Sequence, residues 1–322
     1  MQHEMTPIAT DALSKAFDPV MPASPDMQLA PPRPLSQTPF RLTYAPAGES
    51  GLAAWIATPA QKTSLRPLAD PPLVAIHGIA RDAREQAALL GRTACETGRT
   101  IIAPHFDKKS WRAYQRVVHG TRADLALLRL LAELEDRGFL SRTDAPGRGF
   151  HLFGYSGGAQ FAHRFSLLHP HMVKTLTIAA AGWYTFPDMA AFPYGFGPAF
   201  PRRDHKKDTH TPPHWGAVME ANLASFLEIP LLVLVGARDC VVDKNTRKGD
   251  AINRQQGRTR IGRARNWTKA MKETALALGK ASNIDFQILP GCGHSFSACV
   301  HKGELDQLII QHITASRKGD VQ

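Results

Sequence analysis

What most limits the fold of this chain is a rhythm. Short β-branched or apolar runs alternate with longer stretches that carry their apolar residues at helical spacing. The runs are Phe40–Ala45, Leu52–Thr58, Leu73–Ile76, Thr100–Ala103, Phe150–Phe153, Lys174–Ala179, Leu231–Val235 and Ile284–Leu289. The helical stretches are Arg84–Thr97 (Ala87, Ala88, Leu90, Ala94), Arg122–Arg137 (Leu125, Leu128, Leu131, Leu134), Ala159–Leu168, Thr268–Leu278 and a closing Glu304–Thr314. The first two runs flank the Gly48–Gly51 turn and read as an opening pair of strands. Strand–helix alternation predicts an α/β fold, a mostly parallel central sheet with helices on both faces. In such sheets sites gather at the carboxyl ends of the strands.

The 322 residues suffice for a sizeable core, and 43% of them are apolar, so the chain is not disordered as a whole. No apolar run approaches the length of a membrane span, and the first residues lack the basic start and apolar stretch of a secretory signal. The expected compartment is therefore the cytoplasm. Four cysteines (Cys95, Cys240, Cys292, Cys299) match neither a disulfide scaffold nor a zinc spacing. There is no H-E-x-x-H, Walker or dinucleotide motif, so neither metal nor cofactor is expected.

Three segments interrupt the rhythm. Residues 1–39 hold eight of the 24 prolines and read as a flexible tail, and residues 317–322 read as a C-terminal tail. Residues 40–316 form the expected domain. Within it, the 33 residues from Trp183 to Trp215 contain eight aromatics, an irregular insertion expected to form a cap at about 183–229 and to line a substrate pocket with Trp183, Tyr184 and Phe186. From Lys244 to Arg265 eight basic residues face one acid, Asp250, within a chain of formal charge +11. This basic loop (244–265) reads as solvated surface or as a docking site for an anionic partner.

The chemistry starts at Gly154-Tyr155-Ser156-Gly157-Gly158, a G-x-S-x-G pattern between an apolar run and a helical one. Small residues allow a sharp strand-to-helix turn that holds the serine hydroxyl at the positive end of the helix. Such a serine needs a base, and the base an orienting carboxylate. Leu231–Val235 leads into Gly236-Ala237-Arg238-Asp239, and Ile284–Leu289 into Pro290-Gly291-Cys292-Gly293-His294. Asp239 is the expected acid, with Asp243 on the same loop as the alternative, and His294 is the expected base. His301 and His312 fall in or near the closing helix.

Serine, aspartate and histidine in that order, each after a strand, together with Leu73–Ile79, resemble the landmarks of the α/β-hydrolase superfamily across residues 40–316. The resemblance implies an α/β-hydrolase fold. It also implies an oxyanion hole from the N–H groups of Ile79, after His77-Gly78, and Gly157, with Ala80 as donor if the turn is shifted by one. The His-Gly turn and Ser-Gly-Gly-Ala are similar to the polyhydroxyalkanoate depolymerase and feruloyl-esterase-like branch. Some polyester-degrading relatives join the acid and base loops by a disulfide. In a reducing cytoplasm Cys240 and Cys292 are expected as free thiols.

The expected function is hydrolysis of a carboxylic ester through an acyl-enzyme on Ser156, on a small or oligomeric substrate with an apolar or aromatic acyl group beside Tyr155 and the cap. The same machinery suits a thioester, lactone or amide. A non-catalytic ligand-binding protein on this fold is the alternative from another class.

Overall fold

The computed structural model describes residues 40–60, 71–118, 120–140, 149–199, 214–243 and 246–319, with side chains to 316. The Pro-rich segment 1–39 and the middle of the insertion, 200–213, lie outside the described residues. Eight strands, β1 (Phe40–Ala45), β2 (Ala53–Pro59), β3 (Leu73–Ile76), β4 (Ile101–His105), β5 (Phe150–Tyr155), β6 (Val173–Ala179), β7 (Leu231–Gly236) and β8 (Ile284–Leu289), form one sheet in the order β1-β2-β4-β3-β5-β6-β7-β8. Only β2 runs against its neighbours, β1 and β4. The other pairings are parallel.

The helices are α1 (Ala83–Leu89), α2 (Gly91–Thr97), α3 (Ala123–Asp136), α4 (Gly157–Leu168), α5 (Trp215–Ala221), α6 (Leu223–Phe226), α7 (Asp250–Gln256), α8 (Arg260–Ala277), α9 (Phe296–Gly303) and α10 (Leu305–Gly319). Strand periodicity sorts the core between the two faces of the sheet. In β7, Leu231, Val233 and Val235 join α3, α4 and α8 in one cluster. Leu232 and Leu234 join α2, α9 and α10 in the other. Every residue of β5 and β7 is buried, which is why these strands read as continuous apolar runs rather than alternating ones.

Four expectations need correction. The single helix over Arg84–Thr97 is two, because the chain breaks at Leu90, where Gly91 lets the Phe40 ring approach its backbone. Much of the described part of the 183–229 insertion packs into the core rather than over a cleft, with Met189 exposed. Tyr184, Phe186 and Phe196 are buried in the first cluster with Met219, Leu223 and Phe226 from α5 and α6. The basic segment is not a loop, since α7 lies inside it and α8 starts at Arg260, eight residues before the apolar pattern does. The buried face of that first turn is made by Arg260 and Arg263, so hydrophobic periodicity misses it. Finally, helix α10 runs to Gly319, through the start of the expected C-terminal tail.

Candidate active site

Ser156 sits between β5 and α4 with φ 54° and ψ −111°, a conformation L-residues rarely adopt and one that costs about 1–3 kcal/mol. Close backbone packing holds it there. A Cβ on Gly154 would lie 2.3 Å from the Gly158 carbonyl oxygen, and one on Gly158 would lie 1.9 Å from the Ile76 carbonyl oxygen. The Ser156 amide is tied across to β6, donating to the Ala179 carbonyl at 2.8 Å.

The loops after β7 and β8 are laced together: Ala237 and Arg238 donate their amides to the carbonyls of Leu289 (2.9 Å) and Cys292 (2.8 Å). That lacing brings His294 over Ser156. The His294 Nε2 is 3.0 Å from Ser156 Oγ, and its Nδ1 is 2.8 Å from Asp239 Oδ2. Asp239 is 2% exposed, so its carboxylate depends on partners within the protein. Asp243 does not reach the imidazole; Arg260 stands between the two acids. Its Nη1 donates to Asp239 Oδ1 at 3.1 Å and its Nη2 to both Asp243 oxygens at 3.0 and 3.1 Å. Arg260 is itself 2% exposed. No local sequence signal distinguishes it from the other cations of its segment.

The proposed oxyanion donors are adjacent. The Ile79 amide nitrogen lies 3.3 Å from where a Cβ on Gly157 would stand, and neither amide has an acceptor among the described residues. The turn that carries Ile79 is held from several sides. His77 donates from Nδ1 to the Gly78 carbonyl (2.8 Å) and accepts the Phe106 amide at Nε2 (3.1 Å). Burial lowers the His77 pKa to about 4, so this neutral tautomer persists at neutral pH. Tyr114, which lies in no sequence motif, donates to the His77 carbonyl at 2.6 Å. The Arg81 guanidinium, over the Tyr114 ring, donates to the carbonyls of Phe106, Asp107, Trp111 and Arg112. Ala80 also faces the cleft.

A cleft of about 250 Å³ opens over Ser156, lined by residues 77–80, 82, 85 and 86, by Tyr155, and by residues 294–297. Tyr155 lies beneath the His294 ring at 5.5 Å, its hydroxyl pushed up by burial, and Phe296 packs against it at 5.3 Å. Trp183, Tyr184 and Phe186 do not line this cleft. Trp183 stacks under the Arg164 guanidinium, Tyr184 stacks on Trp267, and Phe186 is buried in the core. The aromatic wall comes instead from Tyr155 and Phe296. Cys240 is exposed, whereas Cys292 is buried beside Cys299, and neither is in a disulfide. Among the described residues no His, Cys, Asp and Glu group is arranged to hold a metal, and no helix is long and apolar enough to cross a membrane.

No protein-family model matches the chain, and no curated relative does. Solved structures do. Poly(aspartic acid) hydrolase-1 from Sphingomonas sp. KT-1 is 20% identical with a TM-score of 0.66, over 84% of this chain and 98% of that one. A poly(3-hydroxybutyrate) depolymerase from Bordetella parapertussis is 24% identical with a TM-score of 0.61, over 81% and 82%. An S-formylglutathione hydrolase from Staphylococcus aureus is 14% identical with a TM-score of 0.51, over 86% and 96%. Sheet order, elbow and these likenesses agree: the chain has the α/β-hydrolase fold.

Proposed function

We propose that the protein is a serine hydrolase of carboxylic esters. The observation that carries this reading is the unbroken row Ser156 Oγ, His294 Nε2, His294 Nδ1, Asp239 Oδ2, with links of 3.0 and 2.8 Å. In the forward step His294 takes the Ser156 proton as the hydroxyl oxygen attacks the ester carbonyl. Asp239 holds the imidazole in the tautomer that leaves Nε2 free to accept and stabilises the imidazolium that forms. The amides of Ile79 and Gly157 bind the oxyanion, each donor contributing about 2.7–4 kcal/mol in comparable sites. The imidazolium then protonates the leaving alcohol. Water, deprotonated by the same histidine, releases the acid from Ser156. A thioester, lactone or amide would pass through the same groups.

Labelling with a fluorophosphonate probe tests the reading. Wild type is expected to label and Ser156→Ala not to. A folded wild type that stays unlabelled would transfer the fold to the ligand-binding reading. Rates on p-nitrophenyl esters, thioesters and anilides of one acyl group would then rank the bond types.

A further inference from the structure

The basic segment divides into two structurally distinct sets. Arg260 and Arg263, one turn apart at the start of α8, are internal struts, 2% and 0% exposed. Arg260 serves the acid loop. Arg263 donates to the carbonyls of Gly182 (2.6 Å), Arg247 (2.6 Å) and Gly257 (2.9 Å) and to Asn253 Oδ1 (3.1 Å). It thereby fixes the loop before α7, α7 itself and the α7–α8 turn around a second cavity of about 250 Å³, lined by Val242, Arg247, Lys248, Asn253 and Arg258.

This cavity presents donors almost exclusively. Arg247 donates to the Tyr194 hydroxyl at 2.8 Å, and no carboxylate among the described residues pairs with Arg247, Lys248 or Arg258. The Asn253 carbonyl oxygen is taken by Arg263, which leaves its NH₂ as the group available to a ligand. Three cations and an amide donor around one concavity, with no acid among its lining residues, are complementary to an oxyanion.

Its position ties it to the site over Ser156. Val242 adjoins Asp243, which Arg260 links to Asp239 and so to His294. In the sheet, β3 and β7 lie on opposite sides of β5. The loop after β3 brings carboxylates, Asp82 and Glu85, to the cleft, whereas the loop after β7 brings the cations. That polarity favours a bound anion on the β7 side of this edge over the β3 side.

We propose that Arg247, Lys248, Arg258 and Asn253 form a carboxylate subsite, and that the substrate is an ester whose chain carries a free carboxylate beyond the scissile bond. The substrate part rests on the hydrolase reading above. Ester hydrolysis itself creates carboxylate ends, so a chain of linked esters presents one after its first cleavage.

The test compares p-nitrophenyl monoesters of dicarboxylic acids, from adipate to hexadecanedioate, with their methyl-capped neutral counterparts. The ratio of kcat/KM, charged over capped, is expected to peak at about tenfold at one chain length and to shrink with added salt. It is expected to fall to about one in the variant Arg247→Gln/Lys248→Gln/Arg258→Gln. These three residues are exposed, so the variant is expected to fold. A ratio near one at every length in unlabelled wild type, from a preparation whose separate aliquot reacts with the fluorophosphonate probe, or a ratio the triple variant keeps, overturns the proposal while leaving the hydrolase reading intact. If wild type does not label, the hydrolase reading and the substrate assignment fall together, and equilibrium dialysis with adipate judges the subsite alone. Binding that the triple variant loses supports the subsite; absent or unchanged binding removes it.

Discussion

Asp239 and Asp243 both bind Arg260, yet only Asp239 touches the imidazole. That asymmetry gives the two acids different expected phenotypes. Asp239→Asn should lower kcat about 10³–10⁴-fold, because an amide in place of the carboxylate favours the wrong imidazole tautomer. Asp243→Asn should cost about tenfold or less, since its influence passes through the guanidinium. Steady-state kinetics on one ester decides, and the reverse order would exchange the roles. Arg260→Met leaves the buried Asp239 carboxylate without its cation, and an unfolding free energy lowered by about 3–5 kcal/mol in urea titration is expected. The candidate triad was legible in sequence because each member is a polar group on a glycine-bearing corner just after a strand, β5 and β7 being fully buried ones. Arg260 was not. A buried arginine has no local signature, and cations are ordinarily exposed. Only the placement of α8 against the β7 loop distinguishes Arg260 from Arg258 two residues earlier.

At the scale of elements, the central strands β5 and β7 were the most legible because burial on both faces makes them plain apolar runs. The elbow was legible for a steric reason that yields its own prediction. Gly158→Ala would put a methyl 1.9 Å from the Ile76 carbonyl oxygen and 2.6 Å from that of His77, both backbone atoms of the strand and turn that carry the proposed oxyanion donor. Neither can give way without moving Ile79. The variant should lose several kcal/mol of stability in urea unfolding, or fail to accumulate, whereas Ser156→Ala unfolds near the wild-type midpoint. Equal midpoints would mean that the turn is looser than its packing implies. The insertion was misread because aromatic content does not say which way rings point. Tyr184 stacks on Trp267 at 4.8 Å, a partner more than eighty residues away and invisible to any local pattern.

Across the whole molecule, the buried histidines set how the fold meets acid. Burial lowers His77 to about 4 and His151 to about 3, and their partners suit the neutral rings: His77 Nε2 accepts the Phe106 amide, and His151 Nδ1 lies 2.8 Å from Thr175 Oγ1. In the unfolded chain both would protonate near 6.5. As pH falls below that value the unfolded state takes up protons that the native state refuses, and stability falls until the folded pKa values are reached. Stability is therefore complete above about pH 6.5 and declines toward pH 3–4, each histidine contributing on the order of a few kcal/mol. Asp124 acts in the same sense at lower pH. Arg122 and His169 outweigh the cost of its burial and hold its carboxyl at about 2, so its contribution is complete above the ordinary value of 3.8 and is lost as pH falls from there toward 2. Urea unfolding at a series of pH values should show a slope between pH 6 and pH 4 that His151→Gln reduces by up to about 1.4 kcal/mol per pH unit, the equivalent of one proton. A slope unchanged by that substitution would mean that His151 is charged in the native sheet. Its neighbours Arg99, Lys174 and His312 make that state electrostatically costly.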